Sequence, residues 1–467
     1  MLVEKSFQIP YTGRNGIISA LSKLIYQKDP MIVEIGMQRA NSPDGDGNST
    51  TVFGSFVSMY GGTLHSVDVD QRCIDLCQSE LIRLGTMTDS VHLHRDDGIA
   101  FLETFNEPID LLYLDAWDYC GSEDDLKRSE INHLKAMIAA ERTLADGALV
   151  LIDDIHNNVT YVGKGALVIP YLLQKDYIVR LNAYQMILEK PKDREIIPGK
   201  VSFVCTTYRR YRCVERIIEQ FLQQDYTNSE LIIFNTDMQN QLVLDESLND
   251  GRIIVVNNDL DYRTAKPYTN RGAICRDAII HASGEYFMLA DDDDVYLPWH
   301  IRQAVEKITE VSKDAWKPKK SFFARPDHME LAQNTMEASV ITKMNRIREI
   351  GFRTDISGYE GLSWYTKLRD DGQLNEHYDN CIPSYCFNWS DPHDLAGHKQ
   401  SGDINNPNNF ENHKLASSDI SRKPINRCGQ DEIARFYSKY YAFLRDNRSM
   451  FPEEMWQRYI NPYVTTE

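Results

Sequence analysis

The sequence predicts an α/β protein of two doubly wound domains, and three observations carry that expectation. Short β-branched runs alternate with amphipathic helix patterns in each half, the signature of parallel sheets with crossover helices. The rhythm breaks once, at Glu189–Lys200 (EKPKDREIIPGK), a charged stretch with two prolines and no periodicity. The length, 467 residues, suits two or three domains of about 100–200 residues each.

In the first half, strands are expected at Met31–Ile35, Thr63–Val67, Val91–Leu93, Leu111–Leu114 and Ala148–Ile152, with helices at Gly16–Tyr26, Asp70–Leu84 and Glu123–Leu144. Tyr177–Leu181 and Gln185–Leu188 are close enough to pair as a hairpin. The pattern restarts at Val201–Cys205, followed by a helix at Cys213–Gln223, strands at Glu230–Phe234 and Arg252–Val256, a helix around Gly272–Ala282 and a strand at Tyr286–Ala290. Asp379–Asn426, rich in Asn, Asp, His, Pro and Gly, reads as long functional loops. In the run Asp431–Tyr463 aromatic residues recur at helical spacing, which predicts a packed helical extension, as core or as a homo-oligomer contact, with stacking on acceptor sugars as the alternative. The expected boundaries are 1–192 for the first domain, 193–200 for a linker, 201–400 for the second domain and 401–467 for the extension.

With 51 Lys and Arg against 69 Asp and Glu, the net charge is −18, which argues against phosphate backbones and anionic lipid as partners. Small anionic substrates carried with a divalent metal remain compatible. The nine cysteines are scattered without a CxxC pair, so reduced thiols in a cytoplasmic protein are expected. The start, MLVEKSFQIPYTGRNG, lacks a basic segment followed by an apolar run, and no apolar stretch approaches ~18 residues; neither a signal peptide nor a membrane span is expected.

MIVEIG (Met31–Gly36) closes the first strand with Glu34 and Gly36, and HSVDVD (His65–Asp70) closes the second with Asp68. Asp97 follows the third and Asp115 the fourth. In a doubly wound sheet these ends share the carboxyl edge, where ligands bind and a carboxylate suits a ribose diol. Packing alone does not ask for four such carboxylates.

Over residues 15–190 these features resemble the class I S-adenosylmethionine-dependent methyltransferases. The resemblance implies a seven-stranded Rossmann-like sheet, with Glu34 and Gly36 near the methionine part of the cofactor, Asp68 on the ribose and Asp97 near the adenine. LDAW (Leu114–Trp117) and GALVLIDD (Gly147–Asp154) look more narrowly like the cation-dependent O-methyltransferases. Carried over, Asp115, Asp153 and Asp154 would hold Mg²⁺, whose hard-oxygen preference they match. Catechol-type relatives place a lysine base where this chain has Asp118, so His156 is the candidate base.

HASGEYFMLADDDDVYLPWHI (His281–Ile301) sets four aspartates between an apolar strand and an apolar helix start, where mutual repulsion demands a nearby cation or proton uptake. With VSFVCTTYRR (Val201–Arg210) this stretch resembles the GT-A glycosyltransferases of family 2, over about residues 200–400. By that match Thr206, Thr207 and Tyr208 lie against the nucleotide. Arg276, in RGAICRD (Arg271–Asp277), lies near the diphosphate. Asp292 contacts ribose or metal, and Asp293 is the principal ligand of Mg²⁺ or Mn²⁺, with Asp291 the alternative. Asp237 closes IIFNTD (Ile232–Asp237), where the family has paired aspartates. Glu360, in GYEGLSW, is the candidate general base, a helix-capping glutamate being the rival reading. His398, in HKQS, is a candidate on the diphosphate or metal, with His393 as its competitor.

The expectation is therefore a bifunctional enzyme. It uses S-adenosylmethionine and a nucleotide-sugar donor, with Mg²⁺ or Mn²⁺, to methylate and glycosylate a glycan or glycosylated metabolite; an inverting, family 2-like sugar transfer is implied by the resemblance. The alternatives are a glycosyltransferase with a methyltransferase-like scaffold, and a non-catalytic glycan binder.

Overall fold

The structure is a computed structural model that describes residues 12–42, 47–119, 121–157, 159–248, 250–324, 329–354, 360–376, 381–388, 424–425 and 430–464. The chain divides into two compact units, Met1–Asp193 with Tyr262–Ala265, and Arg194–Asp261 with Lys266–Glu467. Among the described residues no helix is long and apolar enough to cross a membrane.

The first unit is a seven-stranded sheet: β1 (Met31–Ile35), β2 (Thr63–Asp68), β3 (Val91–Arg95), β4 (Ile109–Leu114), β5 (Leu144–Ile152), β6 (Ile178–Asn182) and β7 (Met186–Glu189). Their spatial order is β3-β2-β1-β4-β5-β7-β6, parallel except for β7, which runs antiparallel to both β5 and β6. This is the doubly wound arrangement with its switch point between β1 and β4, where a crevice opens at the carboxyl ends. The helices are α1 (Asn15–Leu24), α2 (Ser49–Tyr60), α3 (Gln71–Leu84), α4 (Gly98–Thr104), α5 (Glu123–Ala140) and α6 (Val168–Gln174). Asp70 caps α3 through the Arg72 N–H, and Asp97 caps α4.

Helix α2 has no counterpart in the expected elements. Residues Ser49 to Val57 are buried on every side, so its sequence shows no amphipathic stripe. α4, with 7 residues, is too short to display a period.

The second unit holds another seven-stranded sheet. Its strands are β8 (Ile197–Thr207), β9 (Ser229–Asn235), β10 (Ile253–Asn257), β11 (Gly284–Ala290), β13 (Ala315–Trp316), β16 (Ile341–Lys343) and β17 (Leu374–Asn375), in the order β10-β9-β8-β11-β16-β13-β17. A smaller sheet, β12-β18-β14-β15, combines β12 (Val295–Tyr296), β14 (Lys320–Ala324), β15 (Met329–Gln333) and β18 (Tyr385–Asn388). β8 to β11 are mutually parallel. Helices α7 (Tyr211–Leu222), α8 (Arg271–Ala278), α9 (His300–Glu310), α10 (Met344–Ile350) and α11 (Glu360–Asp370) intervene.

Two expectations are corrected. β8 begins at Ile197, inside the anticipated linker, because Ile197 donates to the Ser283 carbonyl at 2.8 Å and pairs beside β11. β18 lies in the stretch read as loop; all four of its residues are buried, and it is too short to show alternation. The aromatic stripe of the C-terminal helix Gln430–Asp446 is core. Tyr437, Tyr440 and Leu444 pack with Trp299, Phe322, Trp456 and Tyr459 against the smaller sheet.

The amino-terminal ends of β8, β9 and β11 are tied by Glu230. Its carboxylate takes the Ser202 hydroxyl at 2.6 Å, the Ser283 N–H at 2.7 Å and the Lys200 ammonium at 2.7 Å. Glu230 is 2% exposed, so removing it takes the acceptor from a partly buried cation and from two donors. Glu230→Ala is expected to lower the unfolding free energy of the second unit by about 3–5 kcal/mol, measured by urea titration.

Candidate functional site

In the first unit the carboxyl ends of β1 to β4 frame a cleft of about 220 Å³, lined in part by Gly36, Asp68, Asp97, Asp115, Trp117 and Asp118. Gly36 sits at φ +98°, and a Cβ there would lie 2.7 Å from the Ala116 nitrogen, so the end of β1 presses directly on the turn after β4. Asp68 accepts the Met37 N–H at 2.9 Å and the Asp70 N–H at 2.8 Å. A carboxylate has about four acceptor sites, so two remain for a ligand. Asp97 accepts the Ile99 and Ala100 N–H groups of α4. Trp117 adopts a left-handed φ of 48°, a conformation that costs on the order of 1–3 kcal/mol in a bulky residue and recurs at ligand sites.

Glu34 departs from its expected place. It is fully buried behind the cleft, where it accepts the Ser66 hydroxyl of β2. Burial pushes its carboxyl up to about 7, against the hydroxyls of Ser49, Ser66 and Thr50. It braces β1 from behind.

The expected metal set is also rearranged. Asp153 is buried and takes the Tyr113 hydroxyl at 2.6 Å, the Gln185 amide at 2.9 Å and Arg14 at 3.5 Å. Asp118 joins Asp115 and Asp154 instead, and one oxygen from each of the three lies within 4.8 Å of the others. Lys164 has its ammonium among them, 2.5 Å from Asp115, 2.8 Å from Asp118 and 2.9 Å from Asp154. Burial raises the Asp115 carboxyl to about 6 against the pull of Lys164. For Asp154 burial is outweighed by Lys164 and the Tyr184 hydroxyl, which hold it below its ordinary value. A divalent ion on Asp115, Asp153 and Asp154 does not fit this arrangement. His156 stands between the rings of Tyr119 and Tyr184, at 5.9 and 5.8 Å.

In the second unit the four aspartates after β11 each have a partner. Arg271 reaches Asp291 and also donates to the Thr206 hydroxyl at 3.2 Å. Arg210 spans Asp292 at 2.6 Å and Asp293 at 2.8 Å, and Thr207 donates to Asp292 at 2.7 Å. Asp294 accepts the Tyr385 hydroxyl and the Asn388 N–H. Burial raises Asp292 and, more strongly, Asp294. Asp291 to Asp293 offer hard oxygen donors suited to Mg²⁺ or Mn²⁺, and the arginines beside them keep side-chain exposures of 18% and 34%.

Other expected residues fall differently. Arg276 is committed to Asp277 at 2.7 Å and Asp261 at 2.9 Å, so Arg271, five residues earlier on α8, is the guanidinium that meets the aspartate run. Asp237 is buried and engaged by Arg209 at 3.1 Å and Asn240 at 2.8 Å, which fixes the turn after β9. The Tyr208 ring lies under Arg209, 4.9 Å from its guanidinium carbon. Glu360 is the first residue of α11. His398 and His393 lie outside the described residues.

Lys164, Arg210, Arg271 and Asp118 were absent from the expected site residues. A lone lysine between glycines in YVGKGAL, and the doubled arginine after the first strand of the second unit, were the signals available.

Residues 43–155 match the family model described as a methyltransferase domain. The C-terminal part matches a colanic acid biosynthesis glycosyl transferase, WcaA, of Escherichia coli (strain K12), 33% identical over 101 residues that make up 21% of this chain and 34% of that protein. The chain thus spans about a third of the length of the curated relative it matches. Among solved structures, Staphylococcus aureus TarS 1–349 in complex with UDP-GlcNAc aligns with TM-score 0.35 and 15% identity, over 56% of this chain and 79% of that one. A caffeoyl-CoA O-methyltransferase from Staphylococcus aureus aligns with TM-score 0.29 and 16% identity, over 39% of this chain and 86% of that one. The chain carries a methyltransferase domain in its N-terminal unit. Its C-terminal part is related to a bacterial glycosyl transferase.

Glu34 generates a pH test. Its carboxyl titrates near 7 in the fold against an ordinary 4.5, so the folded state holds the proton more tightly. That contribution is fully present below 4.5 and is lost as pH rises through 7. Glu34→Gln is expected to flatten the decline in melting temperature between these values, by the equivalent of ~3 kcal/mol at most. Parallel pH–stability slopes in both proteins would contradict it.

Proposed function

We propose that the N-terminal unit binds S-adenosylmethionine and transfers its methyl group to a hydroxyl, and that the C-terminal unit transfers a sugar from a nucleotide-sugar donor. The shared acceptor is a glycan or glycosylated metabolite. The observation that carries the first half is the cleft at the switch point, with Asp68 keeping two acceptor sites toward it and Gly36 pressed on Ala116. In this reading Asp68 takes the ribose hydroxyls and Asp97 marks the adenine end. S-adenosylmethionine, when bound, would supply the methyl group, and His156, the imidazole beside Tyr119 and Tyr184, would take the proton of the acceptor hydroxyl.

The second half is supported by the relation to a glycosyl transferase and by the aspartate run. Asp293, with Asp291, would hold a Mg²⁺ or Mn²⁺ ion, which when bound offsets charge on the diphosphate. Asp292 and Thr206 stand toward the nucleotide, and Arg271 and Arg210 supply positive charge at the same edge. Glu360 deprotonates the acceptor hydroxyl, and its oxygen attacks the anomeric carbon with inversion as the nucleoside diphosphate leaves.

Two measurements test these readings separately. Calorimetry is expected to show S-adenosylmethionine binding that weakens by about 10–100-fold in Asp68→Ala, the worth of hydrogen bonds to a charged group. Absence of binding in the unmutated chain would leave the N-terminal unit a scaffold. Asp293→Ala is expected to abolish metal-dependent hydrolysis of a sugar nucleotide, and unchanged turnover would remove the second site.

A further inference from the structure

The place where a cation-dependent O-methyltransferase would hold its divalent ion is filled in this chain by a side chain. The Lys164 ammonium has three N–H donors, and Asp115, Asp118 and Asp154 each offer an oxygen at 2.5–2.9 Å. Lys164 is 0% exposed. Its placement is set by the backbone. Gly163 has φ +112°, and a Cβ there would lie 2.1 Å from the Asp154 carbonyl oxygen; one on Gly165 would lie 2.4 Å from the Ile169 side chain. Ile155 and Gly163 also form an antiparallel bridge that returns the chain to the end of β5.

Charge agrees with geometry: Lys164, together with Arg39, which pairs with Asp118, already offsets most of the charge on the three carboxylates. Asp153, the remaining expected ligand, is already engaged by Tyr113 and Gln185. A metal ion would have to expel a buried ammonium and strand its charge before any coordination begins.

We propose that Lys164 is the resident cation of the N-terminal site, so that this unit binds its cofactor and works without a divalent metal. The methyl-transfer part of the proposal rests on the reading above, but the cation part is tested independently of it. The whole chain carrying Asp293→Ala, which removes the other candidate metal position, is titrated with Mn²⁺ and followed by electron paramagnetic resonance. No stoichiometric binding is expected. Adding Lys164→Ala frees three convergent carboxylates and is expected to raise Mn²⁺ affinity by on the order of tenfold or more. One equivalent of Mn²⁺ bound with Lys164 present, and lost in Asp115→Asn, would overturn the proposal whether or not the alanine variant folds. A second arm measures S-adenosylmethionine binding with EDTA and with Mg²⁺. Equal affinities are expected, and affinity that depends on Mg²⁺ would also overturn it. If no S-adenosylmethionine binds under either condition, the methyl-transfer reading fails while the Mn²⁺ comparison still decides what Lys164 does.

Discussion

Each sheet delivers carboxylates to the carboxyl edge of its parallel strands, and local neutralisation of that charge is the constraint on which both units depend. Like charges brought together away from water must gain counter-ions or protons. The chain supplies most of what is needed itself. Backbone N–H groups take Asp68 and Asp97, Lys164 takes a trio, and Arg210 and Arg271 take the run after β11. The net charge of −18 is thus in part a property of two small places.

The two units meet this constraint differently. In the first, a buried ammonium is locked by glycine backbone and saturated by three partners. In the second, two guanidiniums, Arg271 the more exposed of them, are shared among separate carboxylates. Residues with left-handed backbone mark the same edges: Trp117 and Asp154 in one unit, Arg209 in the other.

Much of this was legible in the sequence. The β-branched runs located β1 to β5 and β8 to β11, because parallel strands buried on both faces read as continuous apolar stretches. Strand-end positions also brought Asp68, Asp97 and Asp115 to one cleft. What was hidden depends on direction and on distant partners. Glu34 and Gly36 are two residues apart, yet one faces the core and the other the cleft. Arg276 and Arg271 share a helix, and only tertiary packing decides which meets Asp291. Lys164 lies 49 residues from Asp115, and no local pattern announces that they touch.

The helix Gln430–Asp446 and the segment through Tyr459 and Ile460 supply much of the core over the smaller sheet. Synthesis on a ribosome runs from the amino terminus, so all seven strands of the first sheet have emerged while the second unit still lacks this cover. At translation rates of about 5–20 residues per second, the delay is on the order of tens of seconds. Once Trp299 and Phe322 have been made, they belong to an unfinished surface until the residues from Ile433 to Val464 follow and cover it.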